Sequence, residues 1–112
     1  MNGRITQAEL KVPALSLDDY CEGTMSFNFI KIDVEGAGGH VLSGMKRILE
    51  SSRTIIFMEF HTESEWSART ILTSAGYNIF NLNGDLISMD EDAKREYHCF
   101  AIPIGCVLPS IN

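Results

Sequence analysis

The chain has 112 residues, a formal net charge of −6 and a sequence pI near 4.9, which is the size of one domain rather than two. Hydrophobic residues make up 45% and charged residues 21%, a globular composition that argues against a disordered chain. The 15 acidic side chains outnumber the 9 basic ones, which argues against a surface that binds nucleic acid or anionic lipid.

The sequence also indicates the cellular setting. No stretch approaches the roughly 18–20 apolar residues that span a bilayer, and the start of the chain lacks the apolar block of a secretory signal. We therefore expect no membrane association and a cytoplasmic protein. An odd number of cysteines without CxxC spacing predicts reduced thiols rather than a disulfide scaffold or a cysteine-rich zinc site: Cys21, Cys99 and Cys106.

In chain order, the first predicted element is a short helix at 17–21, because Ser16 followed by Asp19 is typical of a helix start. Apolar runs at 27–34 and 54–60 predict two strands that are covered on both faces. Between these runs, one apolar stripe at helical spacing predicts a single helix: Val41, Leu42, Met45, Ile48 and Leu49. A strand, a helix and a strand within about 35 residues predict a right-handed βαβ unit.

A second helix is predicted after the second strand. Thr62 and Glu65 have the spacing of a capping box, and Gly76 is typical of the residue just past a helix end. Residues 77–82 then read as a third strand. Strands and helices therefore continue to alternate along the chain.

The last part of the chain predicts a hairpin. Asn83 and Gly84 form a strong turn signal, residues 85–88 read as a short return strand, and residues 97–102 read as the final strand. The predicted fold is α/β, with mostly parallel strands, helices between them and a closing antiparallel hairpin.

Polar side chains come directly after the first two predicted strands. Asp33 and Glu35 close the first strand, and Glu59 and His61 close the second. Residues two apart on a strand share a face, and ligands of open α/β sheets bind outside the carboxyl ends of the strands. We therefore predict that these four side chains meet at one edge. They would act as a base with its orienting partner, or as acceptors of ligand hydrogen bonds.

Structural roles remain open for the same residues. Asp33 can cap the turn into the next helix, Glu59 can be a solvated strand end, and His61 can be a structural residue before a helix. A metal site is chemically feasible, but no ligand motif supports one and none is predicted. His98 is expected to be structural and to face away from its neighbour Cys99.

Several segments resemble the FkbM family of S-adenosylmethionine-dependent methyltransferases. Residues 12–20, VPALSLDDY, look like its LDD segment. Residues 29–37, FIKIDVEGA, resemble its most recognisable block, which residues 41–45, VLSGM, continue. Residues 56–61, IFMEFH, resemble the next strand. The resemblance spans residues 12–102 of a single domain over 1–112.

The resemblance implies part of a Rossmann-like methyltransferase sheet of seven strands. Asp33 then ends the fourth strand and Glu59 the fifth, so the chain is expected to be the C-terminal part of the domain. The Gly-rich loop that takes the cofactor in this family belongs to the first strand and has no counterpart here. No cofactor-binding residue is therefore assigned, and this chain alone is not expected to bind S-adenosylmethionine. Gly38 departs from the family pattern, which generally carries Glu there.

The activity implied by the resemblance is methylation of a hydroxyl on a sugar or another small molecule. The catalytic residues would then be Asp33, Glu59 and His61, with Glu35 and Gly36 contacting the substrate. An exposed sheet edge would be covered by a second copy or by an N-terminal partner chain. The alternative is a non-catalytic α/β interaction module that completes its sheet by association.

Overall fold

The α/β alternation is present in the computed structural model, which describes residues 10–21, 27–51, 53–90 and 94–106. The elements follow the chain in this order: α1 (Leu17–Cys21), β1 (Phe29–Ile32), α2 (Gly38–Ser43), α3 (Lys46–Ser51), β2 (Ile55–Glu59), α4 (Glu63–Ser67), α5 (Arg69–Ser74), β3 (Tyr77–Phe80) and β4 (His98–Pro103). None of the described helices is long and apolar enough to cross a membrane.

The sheet of the described residues is mixed rather than mostly parallel. Its strands lie in the order β1-β2-β4-β3. The β1–β2 pair is parallel, whereas β4 runs antiparallel to both β2 and β3. Because β4 inserts between two strands of common direction, three strands point the same way but only one adjacent pair is parallel. The predicted sheet is therefore only partly correct, since alternation along the chain does not reveal where the last strand inserts.

The predicted hairpin is also only partly present. Gly84 takes a positive φ of 85° and its N–H donates to the carbonyl of Asn81 at 3.0 Å, so the turn is confirmed. The return strand at 85–88 is wrong, because a single bridge joins Phe80 to Leu86. Leu86 is 63% exposed, whereas Ile87 is buried in the core and its N–H donates to the carbonyl of Ile79 at 2.8 Å, so this segment packs against β3 without continuing as a strand. The antiparallel partner of β3 is β4 instead.

The helix predicted for the βαβ unit is divided into α2 and α3 by the packing of α1. The N–H of Asp18 donates to the carbonyl of Gly44 at 2.9 Å, and a Cβ on Gly44 would lie 2.9 Å from the Cβ of Ser16. The Asp18 carboxylate then accepts from the N–H groups of Arg47 and Ile48 at 2.9 and 3.1 Å. Asp18 therefore caps the start of α3 from a distant point in the sequence.

One face of the sheet carries the core, and the other is partly open among the described residues. Ile56 and Met58 of β2 are buried, whereas Phe57 between them is only half-buried. On the open face Phe57 contacts Phe100, with ring centroids 5.0 Å apart, and Phe29 at the β1 edge is 53% exposed. The expectation of strands covered on both faces is therefore not met by the described residues.

Candidate functional site at the carboxyl ends of β1 and β2

Three of the four predicted strand-end side chains meet at one edge of the sheet. Parallel pairing of β1 with β2 places Asp33 beside Glu59 and His61. The Nε2 atom of His61 lies 3.6 Å from Asp33 Oδ1 and 3.5 Å from Glu59 Oε2. One ligand atom from each residue lies within 4.8 Å of the other two. We call these three residues the strand-end cluster; their catalytic roles remain predictions.

Glu35 and Gly36 lie next to the strand-end cluster but outside it. Because β1 ends at Ile32, the alternation of side chains does not extend to Glu35, which lies exposed in the following turn. Gly36 has a φ of 79°, and its N–H donates to Glu65 Oε1 at 3.1 Å. Their proposed contacts with substrate stay predictions.

Tyr97, which directly precedes β4, and His98, the first residue of β4, contact the two less exposed members of the cluster. The Tyr97 hydroxyl lies 2.7 Å from His61 Nδ1, and His98 Nε2 lies 2.8 Å from Glu59 Oε1. The sequence predicted no role for Tyr97 at the site and a structural role for His98. No local sequence pattern indicates these contacts, because they arise from the pairing of β4 with β2, which places His98 opposite Glu59. As predicted, Cys99 faces the opposite side, where burial raises the pKa of its thiol to about 12.

The neighbours of Asp33 favour its ionised form. Hydrogen bonding with Glu59 lowers the pKa of Asp33, and His61 and Lys31 lower it further, although desolvation opposes them. Two neighbouring carboxyl groups resist simultaneous ionisation unless a proton or cation lies between them. Partial burial, followed by the charges of Glu59 and Asp33, raises the pKa of Tyr97. Tyr97 therefore keeps its hydroxyl proton at neutral pH.

Glu65 links the turn after β1 to the turn after β2, and these two turns carry the cluster. Its side chain is 1% exposed, and its carboxylate accepts from the backbone N–H groups of Gly36, Gly38 and His61 at 3.0–3.1 Å. Desolvation raises the pKa of Glu65, but these three hydrogen bonds outweigh it and lower the pKa overall. The turn after β1 and the turn after β2 are thus joined through one anionic side chain.

The capping-box prediction is half correct at this point. Thr62 Oγ1 accepts from the N–H of Glu65 at 3.1 Å, as expected of an N-cap. The Glu65 carboxylate instead turns toward Gly38, where a Cβ would lie 2.6 Å from Glu65 Oε2 and would also contact Met58 Cε. A carboxylate therefore occupies the turn at which the family resemblance led us to expect Glu, but it comes from α4.

A protein-family model matches more than half of the chain. It is the model of the methyltransferase FkbM domain, and it matches residues 3–79 of the 112 residues. The chain belongs to the FkbM methyltransferase family. No curated protein and no solved structure gives a significant match. The family match covers the strand-end cluster but ends before Tyr97 and His98, so it does not extend to the residues that hold Glu59 and His61.

Membership of a methyltransferase family implies a methyl donor, and the described residues do not form a cradle for one. The turn after β1 is glycine-rich, but the N–H groups of Gly36 and Gly38 already donate to Glu65. A ligand at this turn would have to displace a buried carboxylate to reach them. The described residues instead present carboxylate and imidazole groups, which suit a small polar ligand.

Proposed function

We propose that the chain forms the acceptor side of an S-adenosylmethionine-dependent methyltransferase that acts on a hydroxyl of a sugar or another small molecule. The observation that carries this proposal is the convergence of Asp33, Glu59 and His61 at an open strand end in a member of this family. An alcohol oxygen loses its proton when it is methylated, so its site needs groups that orient the hydroxyl and receive the proton. Two carboxylates and an imidazole meet that need.

The exposure of the three side chains suggests how they divide the work. The Asp33 side chain is 49% exposed, whereas those of Glu59 and His61 are 15% and 16% exposed. We assign the direct contact with the hydroxyl to Asp33, which solvent reaches. Glu59 and His61 lie beside Asp33 and, with it, set the charge of the site.

We also propose that the methyl donor is held chiefly by a second polypeptide segment that covers the β1 edge. Among the described residues, β1 pairs only with β2, so its other side presents unpaired backbone groups. The exposed Phe29 adds apolar surface at that edge. An N-terminal partner chain would supply this segment, and a second copy of this chain is the other candidate.

The proposal is tested with the protein captured from its source together with its partners. The captured material should transfer a labelled methyl group from S-adenosylmethionine to a hydroxyl compound in an acceptor panel. Asp33→Asn should lower this rate by about 100-fold or more, as expected for a group in proton transfer. The purified chain alone should show no S-adenosylmethionine binding by calorimetry. Equal transfer by the wild type and by Asp33→Asn would contradict the proposed site, and tight binding by the chain alone would contradict the second segment.

A further inference from the structure

The strand-end cluster leaves one buried nitrogen atom unsatisfied. Within the part of the chain that the structure describes, His61 Nε2 is buried and has no hydrogen-bond partner. It faces Asp33 Oδ1 at 3.6 Å and Glu59 Oε2 at 3.5 Å. These separations are longer than the roughly 2.7–2.9 Å of a charge-assisted hydrogen bond. They are close to the roughly 3.4 Å between two ligand atoms that each lie about 2.1 Å from one tetrahedral ion.

We propose that Asp33, Glu59 and His61 bind one divalent transition-metal cation. Mixed carboxylate and imidazole donors suit ions such as Zn²⁺ and Mn²⁺, and two carboxylates balance the charge of the ion. Three protein ligands leave at least one coordination position for water or a substrate oxygen, as in catalytic rather than structural zinc sites. Solvent reaches the cluster through the half-exposed Asp33.

Residues around the cluster hold the ligands in the manner of a metal site. The second ring nitrogen of His61 contacts the Tyr97 hydroxyl at 2.7 Å, and the second oxygen of Glu59 contacts His98 Nε2 at 2.8 Å. Such outer partners orient metal ligands and select the histidine tautomer. When His61 Nδ1–H donates to the Tyr97 oxygen, Nε2 keeps its lone pair for an ion. The site therefore also provides a role for Tyr97 and His98.

A proton on His61 is the competing way to balance the two carboxylates. The alternatives differ in a measurable way, because an ion binds with a saturable stoichiometry and needs all three ligands. This inference goes beyond the proposed methyl transfer, since cation binding is measured without donor or acceptor. A failure to bind the cation therefore does not contradict the proposed methyl transfer, and a failure of methyl transfer does not contradict cation binding.

The test is a titration of the metal-free chain with Mn²⁺, followed by electron paramagnetic resonance. One Mn²⁺ should bind per chain. Asp33→Asn and His61→Asn should each weaken binding by more than about 100-fold, because outer partners alone contribute roughly 10- to 100-fold. Tyr97→Phe should weaken binding by about 10-fold. Glu50→Gln removes the same charge from the exposed surface of α3, outside the strand-end cluster, and should leave the affinity unchanged.

Circular dichroism of each variant shows whether it folds. If a ligand variant unfolds, Tyr97→Phe decides the question, because this half-exposed side chain lies outside the core. The absence of saturable binding by the folded wild type would overturn the proposal. Co²⁺ provides a second check. If the chain binds a single Co²⁺ and its spectrum shows a thiolate-to-cobalt absorption band, the ion lies at a cysteine and the proposal is also overturned.

Discussion

Glu65 shows how much one buried side chain contributes to this site. It joins the turn after β1 to the turn after β2 through three backbone hydrogen bonds that cross up to 29 positions of sequence. Hydrogen bonds to a charged acceptor are stronger than neutral ones, and a buried carboxylate that loses its donors is costly. The spacing of Asp33 and His61 therefore depends on a residue outside the strand-end cluster.

Gly38→Ala tests that dependence. The new Cβ would meet Glu65 Oε2 at 2.6 Å and would also contact Met58 Cε, so the turn must shift. We expect a loss of about 1–3 kcal/mol in the free energy of unfolding, the usual cost of overpacking, measured by chemical denaturation. Gly39→Ala is the matched control, because its Cβ would lie 3.4 Å from Ala68 Cβ, and it should be close to neutral. Equal stability of the two variants would show that the turn accommodates a side chain.

Both of the longer predicted helices are divided into two short helices, α2 and α3 in the first and α4 and α5 in the second, and packing determines where the first division falls. The apolar stripe from Val41 to Leu49 is compatible with one continuous helix, but α1 approaches so closely at Gly44 that the backbone turns there. Asp18 then supplies hydrogen bonds to the first turn of α3. Helix α3 is only six residues long, so it depends on such contacts more than on intrinsic propensity.

Asp18→Ala should therefore destabilise the protein through α3. The N–H groups of Arg47 and Ile48 would lose their carboxylate acceptor, and loss of an N-cap costs about 0.5–2 kcal/mol. Thermal and urea denaturation measure the change. The adjacent Asp19→Ala removes the same charge from an exposed position and should change stability by less than about 0.5 kcal/mol. A larger effect at Asp19 than at Asp18 would contradict the capping role.

At the scale of the whole sheet, the described residues leave uncovered surface that a sheet stable on its own would bury. Among the described residues the β1 edge is unpaired and one sheet face is only half-buried around Phe57 and Phe100. Long exposed edges promote strand pairing with another chain. The arrangement supports the proposal that a second segment covers β1 and holds the methyl donor.

Phe29→Lys tests the association at that edge. A lysine on an edge strand discourages pairing with another strand, and Phe29 is already 53% exposed, so the fold should tolerate the change. Sedimentation should show that the wild type associates at about tens of micromolar, a concentration typical of weak specific contacts, and that Phe29→Lys does so less. Leu82→Lys, at a 60% exposed loop position, is the matched control and should associate like the wild type. A monomeric wild type would contradict association through β1 by copies of this chain.

Local patterns were sufficient to predict the members of the strand-end cluster. Asp33 and Glu59 each lie at the end of an apolar run, and two such runs separated by a helix must end at the same edge when they pair in parallel. The same reasoning failed at Glu35, because β1 ends three residues earlier and the turn redirects its side chain. The sequence therefore predicted the strand ends and the placement of Asp33 and His61 just beyond them, but not the direction of Glu35 in the turn.

Short apolar runs and the polar residues at their ends were enough to predict the family, the α/β alternation and the residues of the strand-end cluster. Tertiary packing places β4 beside β2 and brings Tyr97 and His98 to the site, across 36 and 39 positions of sequence. It alone also directed the Glu65 carboxylate to the turn at Gly38. Contacts at such separations depend on strand order and on the space left by packing, and no periodicity along the chain encodes either.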